Sequence, residues 1–415
     1  MKILLTNVSV FNGRDNKIFY KQYIVVNKNK IETINDMSEL NKQSINEFDQ
    51  VIDLKGKFLM PGLIDAHVHL TTTDIHVKND ITDTLIGIQS TVYMKFMLEN
   101  GFTTVRDAGG ADWGMSLAVD NGIVPGPRIF RSEKALTQTN GHGDLRAKSS
   151  TMQKEFVSDN SGTYIATVCD GVDAIRKAAR EQLRKGASQI KIMAAGGVAS
   201  PSDKINSLQF SIEEIKAVVE EAENAGTYVM AHVYTPKGII RCIELGVKSI
   251  EHGNLINDEA AEVVKKYNAY VVPTLSIYES LYNNGTRLGF PEVNIQKLSE
   301  VRSQSLEGLR ICRKHNVNIG FGSDLLGDLQ FEQCNEFKLR SKIETPFETL
   351  NSATYVNAKL LDMEGKLGLI SQNAFADMIV MDSNPLESLT EIANDGKSLK
   401  LIIKDGKIVK NTLKK

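Results

Sequence analysis

The sequence predicts an α/β fold, namely a (β/α)8 TIM barrel with a small β-sandwich domain built from both chain termini, and three observations support this. Between residues 63 and 324, eight apolar strand-like segments alternate with helical segments, about one strand every 30 to 35 residues. Both chain ends contain β-branched runs broken by turns. The alternative is an open doubly wound sheet, but the glycine-rich dinucleotide motif that often follows its first strand is absent from the sequence.

The two chain ends are predicted to share one sandwich, because neither has enough strands to bury a sheet face alone. Strands are expected at 3–10, 18–26 and 31–34, and again at 375–381 and 399–409. We therefore assign residues 1–57 and 365–415 to the sandwich and residues 58–364 to the barrel.

The barrel elements follow from hydrophobic periodicity and from helix start and stop signals. Strands are predicted at 63–69, 103–107, 128–135, 189–194, 228–232, 249–252, 270–274 and 318–323. Helices are predicted at 90–100, 172–185, 211–224, 237–245, 258–266, 301–315 and 346–361. Ser211 and Glu214 have the spacing of a capping box, which should open the third of these helices.

Composition excludes several classes of protein. With 415 residues, 41% hydrophobic and 24% charged, the chain is long enough for a large core and a second small domain. A formal net charge of −2 argues against nucleic-acid binding, and no segment has the apolar length of a membrane span. Four scattered cysteines without a CxxC pair argue against a disulfide framework and favour the reducing cytoplasm.

Polar side chains are predicted at the C-terminal ends of five barrel strands, where barrel enzymes place their chemistry. They are His67 and His69 on the first strand, Lys191 on the fourth, His232 on the fifth, His252 on the sixth and Asp324 after the eighth. Each alone has an ordinary structural explanation, such as a hydrogen-bonded histidine or an aspartate N-cap. Together, a buried lysine and aspartate beside four imidazoles would be costly without compensating metal charge, so we predict a metal site.

Five of these six residues, all but Asp324, lie in segments that resemble the amidohydrolase superfamily in its binuclear, lysine-bridged form. The matching segments are 61–69 (Pro-Gly-Leu-Ile-Asp-Ala-His-Val-His), 141–144, 191–201, 231–234, 250–253 and 376–382. The resemblance is closest to the bacterial dipeptidase branch of Xaa-Pro dipeptidases and imidazolonepropionase-like proteins. The chain departs from that branch at 138–140, which commonly contains a Gly or Ser pair, and at Ala199, which is often Met. Both departures leave the side-chain preference for the substrate open.

The resemblance implies two divalent metal ions and a role for each of the six residues. His67, His69 and Asp324 would hold the more buried ion. His232 and His252 would hold the second, and Lys191 would bridge both as a CO2 adduct. The adduct is required because a lysine ammonium has only donors and cannot ligate a cation. Zinc suits these ligands, with manganese or cobalt as alternatives.

The resemblance also implies hydrolysis of an amide by a metal-bridging hydroxide. Asp324 would accept the proton and pass it to the leaving amine, while Tyr234 and His142 would bind the substrate and donate to the developing oxyanion. Dipeptides and N-acyl amino acids are the expected substrates. Arg146 is a candidate for binding their carboxylate, although a surface salt bridge explains it equally well, and Arg106 is a second candidate.

Three other functions remain open at this point. Cyclic-amide hydrolases of the imidazolone or lactam type share all six ligands. Heterocycle deaminases generally use one metal and lack the lysine of the fourth strand, so Lys191 argues against them. A non-catalytic scaffold would be expected to have lost ligands. Relatives form dimers to octamers, so a homo-oligomer is expected.

Overall fold

The computed structural model describes residues 1–73, 81–146, 165–200, 203–285, 287–289 and 292–413. Its strands are β1 (Lys2–Phe11), β2 (Ile18–Asn27), β3 (Lys30–Asp36), β4 (Gln50–Asp53), β5 (Phe58–Pro61), β6 (Leu63–Val68), β7 (Phe102–Asp107), β8 (Arg128–Arg131), β9 (Ala135–Thr137), β10 (Ala166–Val168), β11 (Ile190–Met193), β12 (Val229–Val233), β13 (Ser249–His252), β14 (Tyr270–Val272), β15 (Asn318–Ile319), β16 (Met378–Met381), β17 (Leu401–Lys404) and β18 (Lys407–Asn411).

The α-helices in the described residues are α1 (Asp83–Glu99), α2 (Trp113–Asp120), α3 (Val172–Arg184), α4 (Ile212–Asn224), α5 (Pro236–Glu244), α6 (Asp258–Lys266), α7 (Leu275–Asn284), α8 (Glu292–Lys314), α9 (Asn335–Arg340), α10 (Pro346–Asn351) and α11 (Asn357–Leu360). The π-helical segment Ser352–Val356 lies between α10 and α11. No helix in the described ranges is long and apolar enough to cross a membrane.

The central strands form the predicted (β/α)8 barrel. Parallel pairing gives one sheet in the order β10-β9-β11-β12-β13-β14-β15, and β6-β7-β8 form another. The Ser188 N–H donates to the Arg131 carbonyl, which joins the segment before β11 to β8, and the Ala66 N–H donates to the Phe321 carbonyl at 2.8 Å, which closes the ring beyond β15. Closure of this kind excludes the open doubly wound sheet.

Strands from both chain ends form one sheet, as the sequence predicted. Its order is β18-β17-β16-β5-β1-β2-β3, with β4 paired to β1. A single apolar cluster contains residues from both ends, for example Ile3, Ile24, Leu59, Met378 and Leu401. This sheet belongs to a compact unit of residues 1–65, 95–105 and 334–415, whereas residues 66–94 and 106–333 form another. The domain boundaries at 57/58 and 364/365 stay a prediction.

Three of the described α-helices, α2, α7 and α9, were absent from the prediction, and the burial patterns of α2 and α7 explain why those two were missed. Helix α2 has eight residues and carries exposed Trp113 and Leu117, so it lacks a polar outer face. Helix α7 is buried at six of its ten positions, and these include both apolar residues such as Ile277 and polar residues such as Ser276, so its sequence lacks an amphipathic period. In contrast, the Ser211–Glu214 capping box at the start of α4 is present.

Candidate metal centre

The barrel brings the six predicted metal-binding residues to one cavity of about 130 Å³, which all six line. His67 lies in β6 and His69 directly follows it, Lys191 lies in β11, and His232 lies in β12. His252 ends β13, next to Val233 in the register of β12 and β13. Asp324 lies five residues beyond β15. Strand ends of the barrel therefore bring the six predicted ligands together, as expected for this fold.

His67, His69 and Asp324 form the tightest group of these side chains. One ligand atom from each lies within 4.8 Å of the other two. Both imidazole Nε2 atoms are 3.3 Å from Oδ1 of Asp324. Although burial disfavours its charge, the pKa of the Asp324 carboxyl is held well below its usual value by His67 and His69. The carboxylate is therefore ionised at neutral pH and can bind a cation.

His232 and His252 form a second group beside the first. Their ring centroids are 4.6 Å apart, and the His252 ring is 5.0 Å from that of His67. Burial lowers the pKa of both imidazoles well below the ordinary value. At neutral pH both rings are therefore uncharged and keep a lone pair for a metal ion.

Three of the four imidazoles have their Nδ1 atom held by an oxygen. His67 Nδ1 lies 2.6 Å from Oε2 of Glu251, His69 Nδ1 lies 2.9 Å from the Gly109 carbonyl, and His252 Nδ1 lies 2.8 Å from Oγ1 of Thr274. A proton on Nδ1 leaves Nε2 as the metal-binding atom. His232 differs, because its Nε2 lies 3.3 Å from the Gly196 carbonyl, which leaves Nδ1 for a metal.

Lys191 is 1% exposed. Burial lowers the pKa of its ammonium to about 8. At pH 7 about a tenth of the side chain is then a neutral amine, against roughly one part in 3,000 for an ordinary lysine. Burial thus increases the fraction of Lys191 that can react with CO2.

Glu251 and Arg106 form a buried ion pair behind His67. Nη2 of Arg106 donates to both carboxylate oxygens of Glu251 at 2.8 and 2.9 Å, and the Ser249 hydroxyl donates to Oε1 at 2.5 Å. Burial would raise the pKa of Glu251, but Arg106 and His67 lower it to about 2. The prediction that Arg106 binds a substrate carboxylate is wrong, because its side chain is fully buried and already paired.

Glu251, which precedes His252 in β13, was not among the predicted site residues. Neighbouring side chains of a regular strand point to opposite faces, so strand alternation gives no reason to place Glu251 beside the site of His252. His252 has a φ of 73°, a left-handed backbone that is uncommon for a residue other than glycine. Asp324 is also left-handed, with a φ of 57°. Such conformations cluster at functional sites, but a sequence does not reveal them.

Tyr234 and His142 line the same cavity on the side of His232. The Tyr234 ring lies 4.9 Å from that of His232 and 5.3 Å from that of His252, between centroids. The His142 ring stacks on His232 at 4.3 Å, and its Nδ1 lies 3.4 Å from Oδ2 of Asp203. Both candidates for binding the substrate carbonyl therefore lie beside the metal ligands.

Arg146 lies elsewhere. Its guanidinium donates to both oxygens of Asp144 at 2.7 Å. The described residues that line the cavity do not include Arg146. Arg146 therefore forms a salt bridge with Asp144, and its binding of a substrate carboxylate stays a prediction.

The rest of the cavity lining is mainly apolar. These side chains come from the segments after β9 and β11, from the segment before β10, from α7 and from the chain after Asp324. They are Leu145, Ile165, Val198, Ala199, Ile277, Leu281 and Leu326. A polar metal-ligand cluster that opens onto an apolar chamber is suited to a substrate with an apolar substituent near its reacting bond.

Comparison with known proteins gives a consistent result. Residues 58–409 match the model of the Amidohydrolase family. Ochratoxinase of Aspergillus niger is 33% identical over 367 residues, which are 85% of this chain and 75% of the relative. A crystal structure of an amidohydrolase has a TM-score of 0.96 at 41% identity and covers 100% of both chains. A prolidase complexed with N-methylphosphonate-L-proline has a TM-score of 0.94 at 40% identity, covering 99% of this chain and 100% of the other.

Proposed function

Because this chain belongs to the amidohydrolase family, we propose that it is a metal-dependent hydrolase that cleaves the amide bond of dipeptides or N-acyl amino acids. The observation that carries the proposal is the convergence of four imidazoles, a lysine and a carboxylate in one buried cavity. The prolidase neighbour, complexed with a phosphonate derivative of L-proline, supports an amino acid as the released half of the substrate.

The donor set fits two divalent ions. His67, His69 and Asp324 are close enough to share one ion. His232 and His252 are uncharged donors at neutral pH for the second. The Lys191 amine, by adding CO2 and releasing a proton, would become a carbamate with two anionic oxygens, one for each ion. Four nitrogen donors with carboxylate-type oxygens suit zinc best, with manganese and cobalt as alternatives.

Two bound divalent ions supply a water of lowered pKa and a polarised amide carbonyl. The chain supplies the proton transfers and the orientation. Asp324, ionised at neutral pH, takes up the proton of the attacking water and delivers it to the leaving nitrogen. The Tyr234 hydroxyl donates to the carbonyl oxygen as negative charge develops there, and His142 binds the substrate on the adjacent side.

The apolar part of the cavity indicates which side chains the substrate carries. Ile277 and Leu281 on α7 and Leu326 after Asp324 would contact a substituent of the substrate, so we propose a preference for apolar side chains. Ala199 lies in the same lining, where its small side chain leaves room for a bulky group. This supports aliphatic or aromatic residues over charged ones.

The experiment is a screen of the zinc-loaded protein. Dipeptides and N-acyl amino acids with matched apolar and charged side chains are incubated with the protein, and the released amino acid is measured. Release from the apolar series, and its loss in Asp324→Asn, would support the proposal. Ring opening of cyclic amides or ammonia release from heterocycles, without dipeptide turnover, would overturn it. Protein that purifies without metal and stays inactive after loading would favour a scaffold.

We also propose a cytoplasmic homo-oligomer. Cys169, Cys242, Cys312 and Cys334 are all buried free thiols, which suits a reducing compartment. Ile88 of α1 and Trp113 of α2 are 58% and 57% exposed, which supports burial against another copy. Light scattering of the purified protein would test the oligomer, and a monomer at micromolar concentration would refute it.

A further inference from the structure

The side chain of Thr274 does not cap the helix at whose N-terminus it lies. Thr274 is the N-cap residue of α7, and threonine at an N-cap normally accepts a hydrogen bond from the first turn of the helix. Here the side chain makes no capping hydrogen bond. Its Oγ1 lies 2.8 Å from Nδ1 of His252 instead, and the hydroxyl is also within reach of the Tyr278 phenol one turn along the helix.

Tyr278 extends this contact to Tyr234. Its hydroxyl donates to the Tyr234 oxygen at 3.1 Å, and the two rings pack edge to face with centroids 6.1 Å apart. The Tyr234 oxygen also lies near the backbone N–H of Val198. Thr274, Tyr278 and Tyr234 are 0%, 2% and 3% exposed, so each hydroxyl must use these partners rather than bulk water.

The direction of every hydrogen bond follows from counting protons. A metal bound at Nε2 of His252 requires the ring proton on Nδ1, so Thr274 Oγ1 must accept it. The single Thr274 proton is then left for Tyr278, and the single Tyr278 proton for Tyr234. The Tyr234 oxygen accepts from Tyr278, so the Tyr234 proton has to point to a different acceptor. The cavity beside His232 and His252 is where a substrate carbonyl would provide one.

We propose that Thr274 and Tyr278 are positioning residues, which link the metal ligand His252 to Tyr234 through an ordered chain of hydrogen bonds that directs the Tyr234 hydroxyl at the substrate carbonyl. The inference rests on the proposed hydrolase function. It assigns roles to two residues that the sequence did not single out. Aligned hydrogen bonds of this kind also polarise one another, so the chain makes Tyr234 a better donor.

The test combines conservative variants. Tyr278→Phe keeps the ring and removes only the hydroxyl. It is expected to lower kcat roughly 2- to 10-fold, the value of one neutral hydrogen bond, with little change in KM and no change in bound metal. Tyr234→Phe is expected to lower kcat about 100-fold or more, as for a lost oxyanion donor. Because Tyr278 acts only through Tyr234, the double variant should be no slower than Tyr234→Phe alone.

A second measurement does not depend on turnover. Thr274→Val removes the acceptor of His252 Nδ1 without changing the shape of the side chain, so the affinity for the second metal ion in a calorimetric zinc titration should fall 10- to 100-fold. Thr274→Ser keeps the hydroxyl and should restore it. A Thr274→Val protein with wild-type affinity would refute the link to His252.

The two proposals fail in different ways. A wild-type protein without amide turnover would refute the function, and the zinc titrations would still decide the role of Thr274. If the wild type is active, unchanged kcat in Tyr278→Phe would refute the chain. A double variant whose loss of kcat is the product of the two single losses would also refute it, because Tyr278 would then act independently of Tyr234.

Discussion

Replacing Glu251 by Gln is expected to destabilise the barrel and weaken metal binding together. The carboxylate is fully buried and accepts hydrogen bonds from Arg106, His67 and Ser249. The amide has nearly the same size, but it carries no charge and must turn an NH2 group toward one of these donors. Arg106 would then be a buried cation without its counter-ion, and His67 would lose the partner that fixes its tautomer.

Two independent arguments give a similar loss of unfolding free energy for Glu251→Gln. Breaking a buried ion pair by removing one partner costs about 3–5 kcal/mol. Independently, the fall in the pKa of Glu251 from 4.5 to about 2 corresponds to roughly 3–4 kcal/mol. The loss of a carboxylate partner behind a metal-binding imidazole should also lower metal affinity 10- to 100-fold.

The same carboxylate gives stability a defined pH dependence. A depressed pKa means that the folded state favours the ionised form, so this contribution is fully present above about pH 4.5 and is lost as the pH falls toward 2. The difference in unfolding free energy between the wild type and Glu251→Gln should therefore be constant from pH 7 to about pH 5 and shrink below it.

Urea unfolding of the metal-free proteins, followed by circular dichroism at several pH values, measures both effects. Glu223→Gln is a matched control, because Glu223 is an exposed residue near the end of α4 and its loss should change stability by less than about 0.5 kcal/mol. Wild-type stability and zinc affinity in Glu251→Gln would refute the reasoning. So would a difference that stays constant down to pH 2.

Three further predictions concern the cavity. Lys191→Ala should lose the bridging ligand, so bound metal and activity should fall together in metal analysis and turnover assays; full activity with two ions bound would rule out the bridge. Wild-type protein prepared with ¹³C-labelled CO2 should show a carbamate resonance that Lys191→Ala lacks. Gly197→Ala would place a Cβ 2.0 Å from Cε1 of His142, so it should displace that ring and lower kcat/KM about as much as His142→Ala. The control is Gly87→Ala, whose added Cβ meets nothing within 4 Å and should leave kcat/KM unchanged. Wild-type kinetics in Gly197→Ala would show that His142 does not bind the substrate.

The fold and the ligand cluster were accessible from the sequence because both depend on local patterns. Alternating strand and helix periods define a barrel, and the geometry of a barrel brings strand ends together whatever the details of packing. The position of His67 and His69 two residues apart was therefore informative, and the structure places their Nε2 atoms at the same distance from Asp324.

The surroundings of the ligands were not accessible, because they depend on contacts between residues far apart in the chain. Arg106 and Glu251 are 145 residues apart in the chain, and only the folded barrel shows that they form a pair. The left-handed backbone of His252 is likewise a conformation that the sequence does not reveal. Helix α7 was not predicted because it is buried on most sides, and Tyr278, which lies in α7, was therefore not recognised as a site residue.

The shared sheet of the two chain ends has a consequence for biosynthesis. β1 and β2 leave the ribosome before β16 and β17, yet the apolar cluster that they enter needs all four strands. During translation β1 and β2 therefore expose an apolar surface until β16 and β17 have been synthesised. Nascent chains stalled before residue 378 should consequently bind chaperones, and completed chains should release them.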